Sequence, residues 1–277
     1  MLSRPAALFV LALASLPAWP QAPQRPAIET RKVDGTENVY IFRNVNHQAM
    51  FIVTPAGVIA TDPVAYGRPQ GGAQYVAEIR KVTSAPIRYL IYSHHHFDHI
   101  AGGQAFKDAG ATIIAHRRAK ERLELLKDPH TPLPDEVVDE RRTISLGGTT
   151  LRALHTPGHT QGATTWITTV QDKGRTYTVG FLGGTTPNGG VPLFDNPRHR
   201  NVIEDTQRTF KTLKAEKVPD IYLVGHPQAM FAGKVERIKA GETPHPLLNG
   251  EAWTKQIVDG EAGFAKRVAE ERAKLKR

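Results

Sequence analysis

The run Tyr92-Ser93-His94-His95-His96-Phe97-Asp98-His99-Ile100-Ala101-Gly102-Gly103 places four histidines and one aspartate within six residues. Imidazole and carboxylate donors at this density suit zinc or a similar divalent ion. In an extended chain His94 and His96 share a side, because side chains alternate with a period of two. They can therefore grip one ion together, while Asp98 and His99 open the following turn and can face a second ion close by. Gly102 and Gly103 let the chain bend there. Four imidazoles packed without metal would each need another polar partner. A merely exposed, metal-scavenging loop does not explain the apolar run before them and the glycines after them. His159, in His155-Thr156-Pro157-Gly158-His159-Thr160-Gln161-Gly162, and His226, in Tyr222-Leu223-Val224-Gly225-His226-Pro227, are two further donors at the ends of strand-like segments, where α/β proteins place their sites. Together these residues make six ligands, three for each of two ions.

These donors need a rigid frame. Short strands are expected at Asn38–Phe42, Ala49–Thr54, Val58–Thr61, Ile87–Tyr92 and Thr112–Ala115, divided by Gly and Pro turns. Helices are expected at Gln74–Val82, Gly102–Ala109 and His116–Lys127. After a Pro-rich connector over 129–134, strands are expected at Thr149–His155, Ala163–Val170 and Thr176–Leu182. A helix over Val202–Lys214, a strand over Ile221–Val224 and a long helix over Gly250–Lys274 follow. Strands mixed with helices in both halves predict a layered α/β arrangement with helices outside sheets. Residues 23–30 are Pro-rich and read as extended.

The chain has 277 residues, 40% of them apolar and 23% charged, enough for a large core without staples. It contains no Cys, which excludes a disulfide scaffold, a thiolate zinc site and a cysteine nucleophile. The net charge is +9. The Lys and Arg are dispersed apart from pairs such as Arg117-Arg118, so the charge favours anionic small molecules and no nucleic acid partner is expected. Residues 1–22 begin with one charge, Arg4, continue through an apolar run from Ala6 to Leu16, and end among small residues and prolines. This is the pattern of a secretory signal, and the run is too short to span a bilayer. The expectation is a cleaved signal peptide over 1–22, a catalytic domain over 23–277, and a periplasmic or secreted protein without a stable membrane anchor, acting as a monomer.

The H-x-H-x-D-H motif followed by glycine, the T-P-G-H-T turn and the late His after a strand resemble the metallo-β-lactamase superfamily over nearly all of the expected mature chain. The resemblance implies an αβ/βα sandwich, two central sheets flanked by helices, with the metals in a groove along one edge. It implies that His94, His96 and His159 bind the first zinc and that Asp98, His99 and His226 bind the second. His95 falls on a non-ligand position. Asp62 matches the family's aspartate that supports the ligand loop without binding metal.

Many hydrolases of the superfamily carry a metal-bridging Asp after the strand that corresponds to Thr176–Leu182. Here that strand runs into Gly183-Gly184-Thr185-Thr186-Pro187. With neither that carboxylate nor a Cys, the pattern is most similar to the third, di-zinc β-lactamase subclass. The stretches Gly158–Trp166 and Asp195–Arg198, the Met230-Phe231 pair and the terminal helix from Trp253 to Arg272 also resemble it. The resemblance implies that zinc-bound hydroxide opens a β-lactam amide, with Asp98 orienting the hydroxide, and that Thr185, Thr186 and Asn188 contact substrate. A zinc hydrolase of another ester, lactone or thioester is the alternative, because the N-terminal half departs from the subclass. There, Asn44-Val45-Asn46-His47-Gln48-Ala49 stands where the subclass usually has a Gly-Thr turn, and His47 either lines the groove or is simply a turn residue, the second reading being preferred.

Overall fold

The structure is a computed structural model that describes residues 27–33, 35–128, 131–226 and 250–276. The expected signal segment 1–22 and the Met230-Phe231 pair lie outside the described residues. The first sheet contains β1 (Ile28–Lys32), β2 (Val39–Asn44), β3 (His47–Thr54), β4 (Gly57–Thr61), β5 (Ile87–Ile91), β6 (Thr112–His116) and β7 (Glu136–Val138), in that spatial order. The second runs in the order β12-β11-β10-β9-β8, with β8 at Arg141–Leu146, β9 at Thr149–His155, β10 at Thr164–Asp172, β11 at Arg175–Leu182 and β12 at Ile221–Val224. Helices α1 (Gly71–Val82), α2 (Phe97–Ile100), α3 (Gly103–Asp108) and α4 (Arg117–Leu126) belong to the first half. Helices α5 (Val202–Ala215) and α6 (Gly250–Leu275) belong to the second.

Side-chain alternation dictates the layering. In β3, Met50 and Ile52 join the core between the sheets, while Ala49 and Phe51 join a second core under α1, α3 and α4. Ile91 and Leu90 of β5, and Ile114 and Ile113 of β6, divide in the same way. A strand buried on both faces reads as a continuous apolar run, and its two faces serve different layers. Across the inter-sheet core lie Leu151, Trp166 and Phe181 of the second sheet, and Phe210 of α5 with Trp253 of α6 extend it on the far side. The order of layers is therefore helix, sheet, sheet, helix, the sandwich that the sequence implied. The central strands and the longer helices fall where expected, within a few residues. The strands not anticipated are β1, β7 and β8. Each lies at the margin of its sheet, and β8, Arg-Arg-Thr-Ile-Ser-Leu, buries only Ile144. An edge strand with few apolar side chains carries little periodic signal.

Strands β4, β5 and β6 run parallel, as do β11 and β12. Their carboxyl ends meet along one edge of the sandwich. Two backbone hydrogen bonds tie the sheets together there: Thr164 N donates to Ser93 O at 2.9 Å and Gln48 N donates to Gly225 O at 2.8 Å. On the outer side, the start of α1 sits against the loop that carries α2. A Cβ on Gly72 would lie 2.2 Å from Gly102 O. Both partners are backbone, so neither can rotate away. Gly72→Ala should destabilise the fold by about 1–3 kcal/mol through overpacking, read as a lower urea midpoint; an unchanged midpoint would show that the two backbones can separate freely.

Candidate metal centre

The hub of this edge is Asp62, fully buried where the chain leaves β4. Its Oδ1 accepts from Ser93 N at 2.7 Å and its Oδ2 from Ser93 Oγ at 2.5 Å. Oδ2 also lies 3.1 Å from His99 Nδ1. A buried carboxylate needs donors, and these contacts assign the imidazole tautomers around it. The Ser93 hydroxyl proton is committed to Asp62, so the Ser93 Oγ contact with His94 Nδ1 at 2.9 Å makes that nitrogen the donor. His94 Nε2 is then a bare acceptor, and it is buried without a hydrogen-bond partner. His99 Nδ1 donates to Asp62 by the same reasoning and leaves its Nε2 bare. His159 Nδ1 donates to Thr186 O at 2.8 Å, which frees its Nε2. Ligand histidines whose other nitrogen is held by carboxylate, carbonyl or hydroxyl are the usual arrangement around metals.

Three donor atoms, one each from His94, His96 and His159, lie within 4.8 Å of one another. The rings are 4.7 to 4.8 Å apart between centroids and stand nearly perpendicular to one another. Burial, and then the neighbouring imidazoles, hold His94 well below the ordinary histidine range. The same causes push His159 down to about 3, with the Thr186 carbonyl opposing them. Both are therefore neutral at pH 7, the form that ligates. An orphaned buried nitrogen among neutral imidazoles fits a divalent ion, and a nitrogen-only donor set with one carboxylate nearby suits zinc.

The second group adjoins the first through the His94 and His99 rings, whose centroids are 4.2 Å apart. Asp98 and His99 are carried by α2, a single helical turn at the place where a turn was expected. His226, at the end of β12, brings its Nε2 to 3.1 Å from His99 Nε2 and 3.4 Å from Asp98 Oδ2. Burial alone would raise the Asp98 pKa, but hydrogen bonds from His226 and His47 and the nearby His99 ring hold it well below the usual carboxylate range. Asp98 is therefore ionised and its side chain is 37% exposed at the groove.

His47 is the correction to the sequence reading. It opens β3 instead of sitting in a turn, and its Nε2 lies 3.3 Å from Asp98 Oδ2. His47, Asp98 and His226 offer donor atoms within 4.8 Å of one another. Hairpin arithmetic held the signal: β3 and β4 are antiparallel, so the start of β3 and the end of β4 share an edge. What the sequence lacked was the clamp from Gln48, whose Nε2 donates to Val224 O at 2.7 Å and so sets its neighbour beside His226.

The remaining candidates surround these groups. His95 lies outside both, half-buried, and burial with the nearby His96 pushes it down to about 3. Thr185 is buried, its hydroxyl 3.7 Å from where a Cβ on Gly260 of α6 would sit. Thr186 is half-buried beside His159, and Asn188 is exposed. Arg267 of α6 donates to the carbonyls of Pro187, Asn188 and Val191 and so holds that loop. The end of β11 is closed to side chains. A Cβ on Gly183 would lie 2.4 Å from Thr164 O, and one on Gly184 would lie 2.7 Å from the His159 ring. Gly184 also adopts φ +101°, which L side chains rarely take.

The buried imidazoles carry a stability signature. His95, His116 and His159 titrate near 3 in the fold against 6.5 when unfolded. The unfolded chain therefore takes up protons first as pH falls through 6.5, and stability drops from there toward pH 3. The metal-free protein should lose about 1 kcal/mol per pH unit for each such histidine across that window. Urea unfolding with chelator present at pH 7 and pH 5 measures this; coincident midpoints would contradict it.

Residues 43–226 match the family model described as Metallo-beta-lactamase superfamily. Among solved structures, the FEZ-1 metallo-beta-lactamase of Legionella gormanii superposes with a TM-score of 0.76 at 25% identity, covering 91% of this chain and 99% of that one. BJP-1, a subclass B3 metallo-beta-lactamase of Bradyrhizobium japonicum, gives 0.75 at 28% identity, covering 88% and 95%. Among curated proteins, the hydroxyacylglutathione hydrolase of Acidiphilium cryptum is 32% identical over 133 residues, 44% of this chain and 51% of that protein. The hydroxyacylglutathione hydrolase of Chelativorans sp. is 34% identical over 94 residues, 34% of each chain. The chain thus spans between a third and a half of the length of these curated relatives. With the family model covering most of the chain and the candidate ligands gathered at one edge of the sandwich, this protein belongs to the metallo-beta-lactamase superfamily.

Proposed function

We propose that the protein hydrolyses the amide of a β-lactam ring with two zinc ions, the first held by His94, His96 and His159 and the second by Asp98, His99 and His226. The supporting observation is the pairing of these two groups beside a β11 end that Gly183 and Gly184 keep closed to a bridging carboxylate. When bound, the ions would lower the pKa of a water and polarise the scissile carbonyl. The residues of the chain do the positioning. Asp62 and Ser93 fix the tautomers of His99 and His94, and the Thr186 carbonyl fixes that of His159. Ionised Asp98, at the open side of the groove, accepts a hydrogen bond from the attacking water and orients it. Thr186 and Asn188 stand at the rim, where they are offered as substrate contacts together with Thr185 beneath them. The net charge of +9 favours anionic substrates as an on-rate effect.

A second reading keeps the same centre and changes the bond. The curated relatives are named as hydroxyacylglutathione hydrolases, which favours a thioester, or an ester or lactone, as substrate. Export to the periplasm or beyond is proposed from the segment over residues 1–22; cell fractionation would place the protein. No helix among the described residues is long and apolar enough to cross a membrane.

Zinc-loaded protein should hydrolyse a carbapenem or a chromogenic cephalosporin, and chelator should abolish this. Turnover of a glutathione thioester alone would transfer the assignment to the second reading. His96→Ala and His159→Ala should each lower kcat/KM by more than about 100-fold, since even residues that only support a ligand are worth about 10–100-fold. Unchanged activity in either variant would overturn the assignment of the first group. Asp98→Ala should lower metal content and rate together, read by elemental analysis beside kinetics.

A further inference from the structure

The geometry points to His47 as a fourth protein ligand of the second metal ion, beside Asp98, His99 and His226. This rests on the two-ion reading above. Around Asp98 Oδ2 stand His47 Nε2 at 3.3 Å, His226 Nε2 at 3.4 Å and His99 Nε2 at 3.7 Å. His226 and His99 bring their Nε2 atoms to 3.1 Å from each other. Donors set around one ion at bonds of about 2.0–2.1 Å are separated by about 3.3 Å along the edge of a tetrahedron, and these separations cluster at that value. Hydrogen bonding explains them less well. With the His99 Nδ1 proton committed to Asp62, the single Nε2 proton of His226 would have to serve both Asp98 Oδ2 and the bare His99 Nε2. Three imidazole nitrogens crowding one carboxylate oxygen, two of them also facing each other, converge on a shared cation.

The position of His47 is also independently fixed. Gln48 is tied twice to the end of β12, N to Gly225 O at 2.8 Å and Nε2 to Val224 O at 2.7 Å. His47 therefore belongs to the same rigid corner as His226, and their ring centroids are 4.6 Å apart. Rigid elements carry ligands at the precision that coordination demands. The widest pair is His47 and His99, with centroids 5.9 Å apart and rings edge-on, so His47 closes the side of the second site away from His99. With four protein donors a second ion would keep fewer positions open to substrate than a first ion held by three. A site with all its positions filled by protein is held for charge and structure, and an open one for chemistry.

The test uses the full chain loaded with cobalt(II). Its readouts are metal stoichiometry and the paramagnetically shifted proton spectrum, neither of which needs turnover. The Nδ1 of His47 is buried and has no partner among the described residues, so a proton there is sheltered from exchange. The native protein should bind two ions and show a shifted imidazole N–H from His47 that is absent from His47→Ala. Second-ion binding should weaken at least about ten-fold in that variant. His47→Gln separates ligation from mere hydrogen bonding, since Gln can still donate to Asp98 Oδ2 but ligates poorly. A ligand role predicts that Gln fails like Ala, and a hydrogen-bonding role predicts that Gln restores binding and overturns the proposal. A native chain that takes up two ions and loses no signal in His47→Ala also overturns it, while leaving the two-ion reading standing. A native chain that takes up only one ion overturns both. Thermal unfolding of each metal-free variant checks that the fold survives.

Discussion

The site depends on one buried carboxylate. Asp62 has no exposed surface and takes its hydrogen bonds from Ser93 and His99. An anion removed from water costs several kcal/mol unless donors and nearby positive charge compensate it. Here the donors are the backbone and hydroxyl of Ser93, which begins the 94–99 loop, and the ring of His99, a candidate ligand. The cost of burying Asp62 is therefore offset only when the loop adopts the arrangement that aims His94 and His99 at the groove. Folding the hub and orienting the candidate ligands are one event.

The two halves of the sandwich reach the groove by different routes. The first sheet supplies His47, Asp62 and the 94–99 loop from the ends of β3, β4 and β5. The second supplies His159 between β9 and β10, the Thr186 carbonyl after β11 and His226 after β12. The ties from Thr164 to Ser93 and from Gln48 to Gly225 join them at the rim. Gly183 packs against both Thr164 and Ser93, so the close approach of the sheets is itself what excludes a side chain at the end of β11. The absence of a bridging carboxylate is thus a packing consequence of how the sheets meet as well as a feature of composition.

Electrostatics follow from that closure. His94 is buried and His96 and His159 are half-buried, and the three would repel one another as cations, so these histidines are held neutral. The second is more open, with the His226 side chain 50% and the Asp98 side chain 37% exposed. A carboxylate kept ionised beside imidazoles is a centre of negative charge facing solvent. A cation entering the groove meets neutral nitrogen donors on one side and an anion on the other, which distinguishes the two positions by charge before any substrate arrives.

The donor set was legible in the sequence because it is local chemistry. The period of two puts His94 and His96 on one side of an extended run, and Asp98 with His99 needs only the next turn. The central strands were legible because they are apolar on both faces, whereas β7 and β8 were not, since a marginal strand needs few apolar residues and β8 begins with two arginines. The sequence also determined, through its lack of Cys and through Gly183-Gly184, which ligand chemistries are available. What it left open was convergence. Nothing local brings His47, His159 and His226 to the 94–99 loop, because the separation of strand ends is set by sheet pairing and by contacts between sheets. Only the tertiary structure, through β3 lying antiparallel to β4 and Gln48 reaching β12, turned His47 from an apparent turn residue into a neighbour of Asp98. Side-chain type is encoded residue by residue, but distance between remote residues is decided by the packing of whole elements.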